Sequence, residues 1–127
     1  MMAHVGIFKT TITVAPLARP DAYLELPDVM VDTGSEYNWI PRKVLEQLGV
    51  DVERVDRFET ADGRILERQV GFALVRAAGR TAPTIVVFAE GGDMTLLGAL
   101  GLEGMNLRVD LMRRQLVPAG PVPAAAA

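Results

Sequence analysis

Cysteine is absent from all 127 residues, which excludes disulfides, thiol nucleophiles and thiolate metal ligands. Histidine is nearly absent too. Its one copy, His4, stands beside the N-terminus, so no histidine cluster can hold a metal and the body of the chain offers no Ser-His-Asp arrangement. His4 itself reads as a terminal, partly exposed residue. There is no excess of positive charge either: 13 Lys and Arg stand against 16 Asp and Glu, for a net charge of -3 and a pI near 5.1. With no basic patch, the chain carries no electrostatic footprint for nucleic acid. No apolar run approaches the length of a membrane span. Lys9 and its neighbouring threonines interrupt any secretory hydrophobic core, so the expected compartment is the cytoplasm. Nothing in this composition calls for a metal or a cofactor. What remains is a globular composition, 50% hydrophobic, long enough for one domain with a real core.

Taken in order, Phe8 to Val14 alternates, with Phe8, Thr10, Ile12 and Val14 on one face, and predicts a strand. Tyr23, Leu24 and Leu26 predict a second strand, stopped at Pro27-Asp28. Val29 to Val31 makes a third, which delivers Asp32 at its end. Pro41 opens a short helix with Ile40, Val44, Leu45 and Leu48 on its apolar side, and Gly49 ends it. Val52 to Thr60 and Ile65 to Arg76 read as the two arms of a hairpin around Ala61-Asp62-Gly63-Arg64, broken at Gly71. The arms are unusually polar, and by periodicity alone this is an ordinary surface hairpin. After a turn at Ala77 to Arg80, Thr84 to Phe88 is a continuous apolar strand suited to burial on both faces. Met94 to Gly98 is another apolar strand, followed by one or two helical turns over residues 99–104. Asn106 to Leu111 and Gln115 to Val117 predict two last strands. Residues 1–118 are expected to form the domain, and residues 119–127, almost all Pro and Ala, a disordered tail.

The stretch around which this order is organised is Val31-Asp32-Thr33-Gly34-Ser35. It sets one carboxylate at the end of an apolar run, where burial is costly unless compensated. Gly34 marks a tight turn or a close backbone approach. A turn-stabilising role for Asp32, with Thr33 and Gly34 completing the turn, is the plain alternative. The second half of the chain faintly repeats the first: strand, apolar run and Asp-Thr-Gly are echoed by strand, apolar run and Leu96-Leu97-Gly98. The echo has no second carboxylate. Trp39 reads as a core or interface aromatic, and Arg113-Arg114 as a solvated turn.

On these residues the chain resembles the retropepsin-like aspartic proteases, specifically their small single-domain bacterial-type members. Val31 to Ser35 matches the active-site signature, and Leu96-Leu97-Gly98 matches the later apolar-apolar-Gly element. The Asp62-Gly63 hairpin falls where the family places its flap. Val109-Asp110 and Arg113-Arg114 match the bacterial branch, so the likeness covers residues 5 to 118. It implies an all-β, single-domain acid-protease fold: a closed β-barrel with one or two short helices. It implies Asp32 as the catalytic aspartate, with Thr33 steadying the two loops across a dimer axis. Gly34 would lend its carbonyl to bound peptide, and Ser35 would sit beside the carboxylate. Ala61, Asp62, Gly63 and Arg64 would form the flap tip, while Leu96, Leu97 and Gly98 would pack behind the active-site loop. Two features depart from the retroviral pattern. The flap tip is charged instead of glycine-rich. The arginine that follows the Leu-Leu-Gly-type element, and pairs with an acid corresponding to Glu36, is replaced by Ala99; the brace must come from elsewhere or be absent.

Hydrolysing a peptide without a metal or a nucleophilic side chain needs a water made nucleophilic and a carbonyl made electrophilic. Two carboxylates that share one proton can do both, one as base and the other as acid. One Asp32 cannot, and Asp62, Asp93 and Asp110 stand in different settings. A C2 dimer solves this, because a residue on the axis meets its own copy. The sequence therefore reads as a homodimeric aspartic endopeptidase acting on a peptide or protein substrate. The alternative is a catalytically silent protease-fold dimer serving as a peptide-binding or assembly module.

Overall fold

Nine strands and two short helices are formed by residues 8–126, the part that the computed structural model describes; His4 lies outside the described residues. In chain order they are β1 (Phe8–Ala15), β2 (Leu24–Val31), β3 (Asn38–Pro41), α1 (Arg42–Leu48), β4 (Arg54–Glu59), β5 (Ile65–Ala77), β6 (Arg80–Ala89), β7 (Leu96–Leu97), α2 (Ala99–Gly104), β8 (Leu107–Asp110) and β9 (Gln115–Pro118). Seven strands make one mixed sheet in the order β1-β2-β7-β3-β6-β5-β4, and β8 and β9 make a separate pair. The apolar run Ile85 to Ala89 of β6 is buried throughout, as its central place in the sheet requires. Phe88, Ile12, Ile40, Leu45 and Leu97 are the largest fully buried side chains. Each contributes about 1.5–3 kcal/mol through burial.

The expected closed all-β barrel is corrected here. The sheet order ends on β4, which pairs with β5 alone and leaves its other edge open. β1 also meets β5, but only over Thr13↔Arg76, Val14↔Val75 and Ala15↔Leu74, so the sheet curls without closing into a barrel. The cause lies in the 13 residues of β5. Its inner part is apolar and reaches β1 and β6, whereas Ile65 to Val70 carries the polar arm β4 outward. Charged arms cannot be drawn into a core without a desolvation cost. The result is a mixed sheet with two helices, left open along β4.

Two expected breaks are absent as well. Pro27-Asp28 does not stop a strand, because β2 runs through it. The register against β1 shifts between Thr10 and Ile12, with Asp28 at φ 57°. This is a bulge, which absorbs the proline's missing N–H without ending the strand. Gly71 does not break β5 either. Its bare Cα lets the Asp51 carbonyl approach to where a Cβ would stand 2.3 Å away. Helix α1 follows Pro41 as expected and ends at Gly49, whose φ is 74°, with the Arg19 guanidinium donating to the Leu48 carbonyl at 3.1 Å.

Candidate active site

The echo between the two halves of the sequence becomes a contact. β2 and β7 lie parallel, with Met30↔Leu96 and Val31↔Leu97 in register. The Asp-Thr-Gly and Leu-Leu-Gly turns therefore leave the sheet side by side. The Asp32 N–H donates to the Leu97 carbonyl at 3.0 Å. The side chain of Asp32 is buried, 3% exposed, and its Oδ1 accepts the Gly34 N–H at 2.9 Å. The Ser35 N–H closes the turn onto the Asp32 carbonyl at 3.1 Å, and the Ser35 hydroxyl donates to the Tyr37 carbonyl at 2.9 Å. Ala99 N–H then donates to the Ser35 carbonyl at 2.7 Å, and Leu100 N–H to the Glu36 carbonyl at 3.0 Å. The second turn is thus laced along the back of the first.

Beside these turns opens a groove of about 840 Å³. Gly34, Ser35 and Glu36 contribute one side, β4 and Ala61 another, and Gly92 to Met94 a third. Its apolar lining comes from Tyr37, Trp39, Phe58, Leu66, Met94 and Leu96. Phe58 of β4 packs edge-on to both Tyr37, at 5.6 Å between ring centroids, and Trp39, at 5.0 Å. The Tyr37 hydroxyl donates to Asp56 Oδ2 at 3.1 Å. Through these contacts the hairpin arm is seated against the strand that follows the Asp32 loop.

Charge is fixed around the groove in pairs. Arg68 of β5 grips Asp93 with two bonds, Nε to Oδ2 at 2.8 Å and Nη2 to Oδ1 at 3.0 Å. The Glu90 N–H adds a third to Oδ2 at 2.8 Å. Arg68 above all holds the Asp93 carboxyl below the usual range, against the opposing effect of burial. The Arg54 guanidinium, followed by the Tyr37 hydroxyl, does the same for Asp56 against its partial desolvation. At the hairpin tip, the Thr60 hydroxyl first and Arg64 second lower Asp62. Among the described residues no cluster of His, Asp or Glu is arranged to hold a metal ion.

A family model described as aspartyl protease matches residues 25–103. The match runs from β2 into α2 and so contains the Asp32 loop, the hairpin and the Leu96–Gly98 turn. The chain belongs to the aspartyl protease family. It carries a retropepsin-like aspartic protease domain over most of its length and is an aspartic-type hydrolase. A search among curated proteins finds no match.

In this aspartyl protease the residues expected from sequence fall in three places. Asp32 and the trio Leu96, Leu97 and Gly98 are brought together by the parallel β2–β7 pairing. Thr33 and Gly34 are exposed and Ser35 is half-buried, Gly34 and Ser35 lining the groove. Ala61 lines it too, whereas Asp62, Gly63 and Arg64 stand beyond it in solvent. Gly63 has φ 87° and the Asp62–Arg64 ion pair spans 3.2 Å. The sequence reading missed Tyr37, Phe58 and Met94 as groove residues, and it placed Trp39 in a core or interface where it also faces the groove. Asn38 was missed entirely. Among the described residues no helix is long and apolar enough to cross a membrane.

Proposed function

We propose that the chain is an endopeptidase that hydrolyses peptide bonds with a water activated by two Asp32 carboxylates, one from each subunit of a homodimer. The observation that carries this reading is the setting of Asp32: a buried carboxylate that does not itself line the groove, in a turn whose Gly34 and Ser35 do line one of about 840 Å³. Retropepsin-like proteases often act as dimers on peptide substrates, and one chain supplies one such loop. In the dyad one carboxylate takes the proton of the attacking water while the other donates to the scissile carbonyl. The hairpin tip over residues 61–64 serves as the flap. It offers backbone partners to a strand-like substrate and limits bulk water at the dyad. Thr33 steadies the paired loops, and Leu96, Leu97 and Gly98 support them from behind. Residues 1–118 carry this activity.

The test is cleavage of a mixed unstructured peptide library by the wild type and by Asp32→Asn. Asparagine keeps the size of the side chain and an Oδ1 acceptor for the Gly34 N–H, so the fold should survive. Turnover should fall by about 10³-fold or more, the loss expected when general acid–base chemistry is removed. A variant that retains a near-wild-type rate would refute the mechanism.

A further inference from the structure

Asn38 is wholly buried, 0% exposed, and its side chain makes three hydrogen bonds, all to other segments. Its Nδ2 donates to the Thr84 hydroxyl at 3.1 Å and to the Ile85 carbonyl at 2.9 Å, both on β6. Its Oδ1 accepts the Gly98 N–H at 2.9 Å. A buried carboxamide is costly to desolvate, and an apolar residue of similar size is the simpler way to fill a core position. What the amide supplies is a fixed distance between β3, β6 and the Leu-Leu-Gly turn.

Gly98 is the point where that fixation reaches Asp32. The residue before it, Leu97, accepts the Asp32 N–H, and the residue after it, Ala99, donates to the Ser35 carbonyl. Holding Gly98 therefore holds both flanks of the Asp32 loop. The packing there leaves no slack. A Cβ on Gly98 would stand 2.3 Å from the Tyr37 oxygen and 2.6 Å from that of Ser35; one on Gly101 would stand 2.5 Å from Asn38 Oδ1.

We infer that Asn38 is a positioning residue that holds the Asp32 loop through Gly98, in the role left open by Ala99. This rests on the reading of Asp32 as catalytic. The brace is a neutral amide instead of an ion pair, and Glu36, the acid such a pair would use, is left exposed beside the groove. Asn38 is fully buried and does not line the groove; it acts on the reaction through backbone geometry. Displacing a reacting group by about 1 Å costs on the order of 100-fold in rate.

The experiment compares Asn38→Leu, Gly101→Ala and a destabilising core control, Val75→Ala, with the wild type. kcat and KM are measured on one peptide, beside a melting curve and amide hydrogen exchange. Asn38→Leu removes all three bonds. Gly101→Ala keeps Asn38 but pushes its amide aside, while adding a better helix former to α2. For both, kcat should fall about 10- to 100-fold with KM within about threefold, and the Gly98 and Asp32 amides should exchange faster. Val75→Ala should melt earlier with kcat unchanged. Wild-type kcat in either loop variant, or a loss of kcat that simply tracks the melting temperature across all three, overturns the inference. Should neither loop variant fold, the wild type decides. A Gly98 amide protected like the core strands supports the brace, and fast exchange there overturns it. A wild type that cleaves no peptide sinks the proposed function instead. The two failures stay distinguishable because exchange in Asn38→Leu and Val75→Ala is read without substrate.

Discussion

Asp93→Asn tests whether the wall of the groove is held by charge. The Arg68 and Asp93 side chains are 17% and 12% exposed, so this pair is neither a solvated surface contact nor fully buried. Exposed pairs contribute about 0–1 kcal/mol, while breaking a buried one by removing a partner costs about 3–5 kcal/mol. The bidentate geometry and small residual exposure place the loss between these, at about 2 kcal/mol for asparagine, which keeps an acceptor for the Glu90 N–H. For a domain of this size that is a fall in Tm of roughly 6–10 °C. The pH dependence has a definite sign. Arg68 lowers the folded-state pKa of Asp93, so its contribution is full above the unfolded value of about 3.9 and disappears as pH falls through the lower folded value. The gap between wild type and Asp93→Asn should be widest at about pH 5–7 and close as pH falls through the lowered folded value. Thermal unfolding of both proteins across this range, at one protein concentration, makes the comparison. Equal stability at pH 7, or a gap that persists undiminished at low pH, would show that the pair does not hold the wall.

Two further outcomes follow from the proposed dimer and flap. Specific activity per chain should fall on dilution through the dimer dissociation constant; full activity from a species shown to be monomeric by light scattering would rule out a shared dyad. Gly63→Val puts a β-branched residue at φ 87°, where open space surrounds the Cβ and only backbone strain opposes it. It should cost about 1–2 kcal/mol in stability but lower kcat/KM more than that loss explains, and an earlier melt with normal cleavage would remove Asp62-Gly63 from the flap.

Local chemistry was legible in the sequence wherever one segment determined its own conformation. The alternation of β1, the apolar run of β6, Gly49 closing α1 and the turn at Gly63 all belong to this class. The pairing of Asp-Thr-Gly with Leu-Leu-Gly was legible as an echo, but not as a parallel contact of β2 with β7. The barrel expectation failed for a related reason. Whether strands close depends on how a 13-residue β5 divides itself between β1 and β4, which no window of sequence contains. Pro27-Asp28 was misread because a proline that ends an isolated strand can sit in a bulge once a partner strand exists. Asn38 lay beyond local reading altogether. Its three bonds reach 46, 47 and 60 residues along the chain, and a single asparagine between Tyr37 and Trp39 gives no periodic signal.

These long-range devices share a property that bears on the proposed chemistry. A carboxylate pair sharing one proton works in weak acid, where the surrounding scaffold must not come apart. The carboxylates of the groove wall described above are each shifted downward by a named partner: Asp93 by Arg68, and Asp56 by Arg54 and Tyr37. Each pair persists above the ordinary carboxylate range and is lost only as pH falls through the lowered folded value. The brace inferred at Asn38 has no proton to gain at all, since a carboxamide does not titrate in this range. Ala99 therefore need not be read as a lost function. With the loop held by an amide and the walls by carboxylates that arginine partners shift downward, the groove keeps its shape as pH falls toward the ordinary carboxylate range.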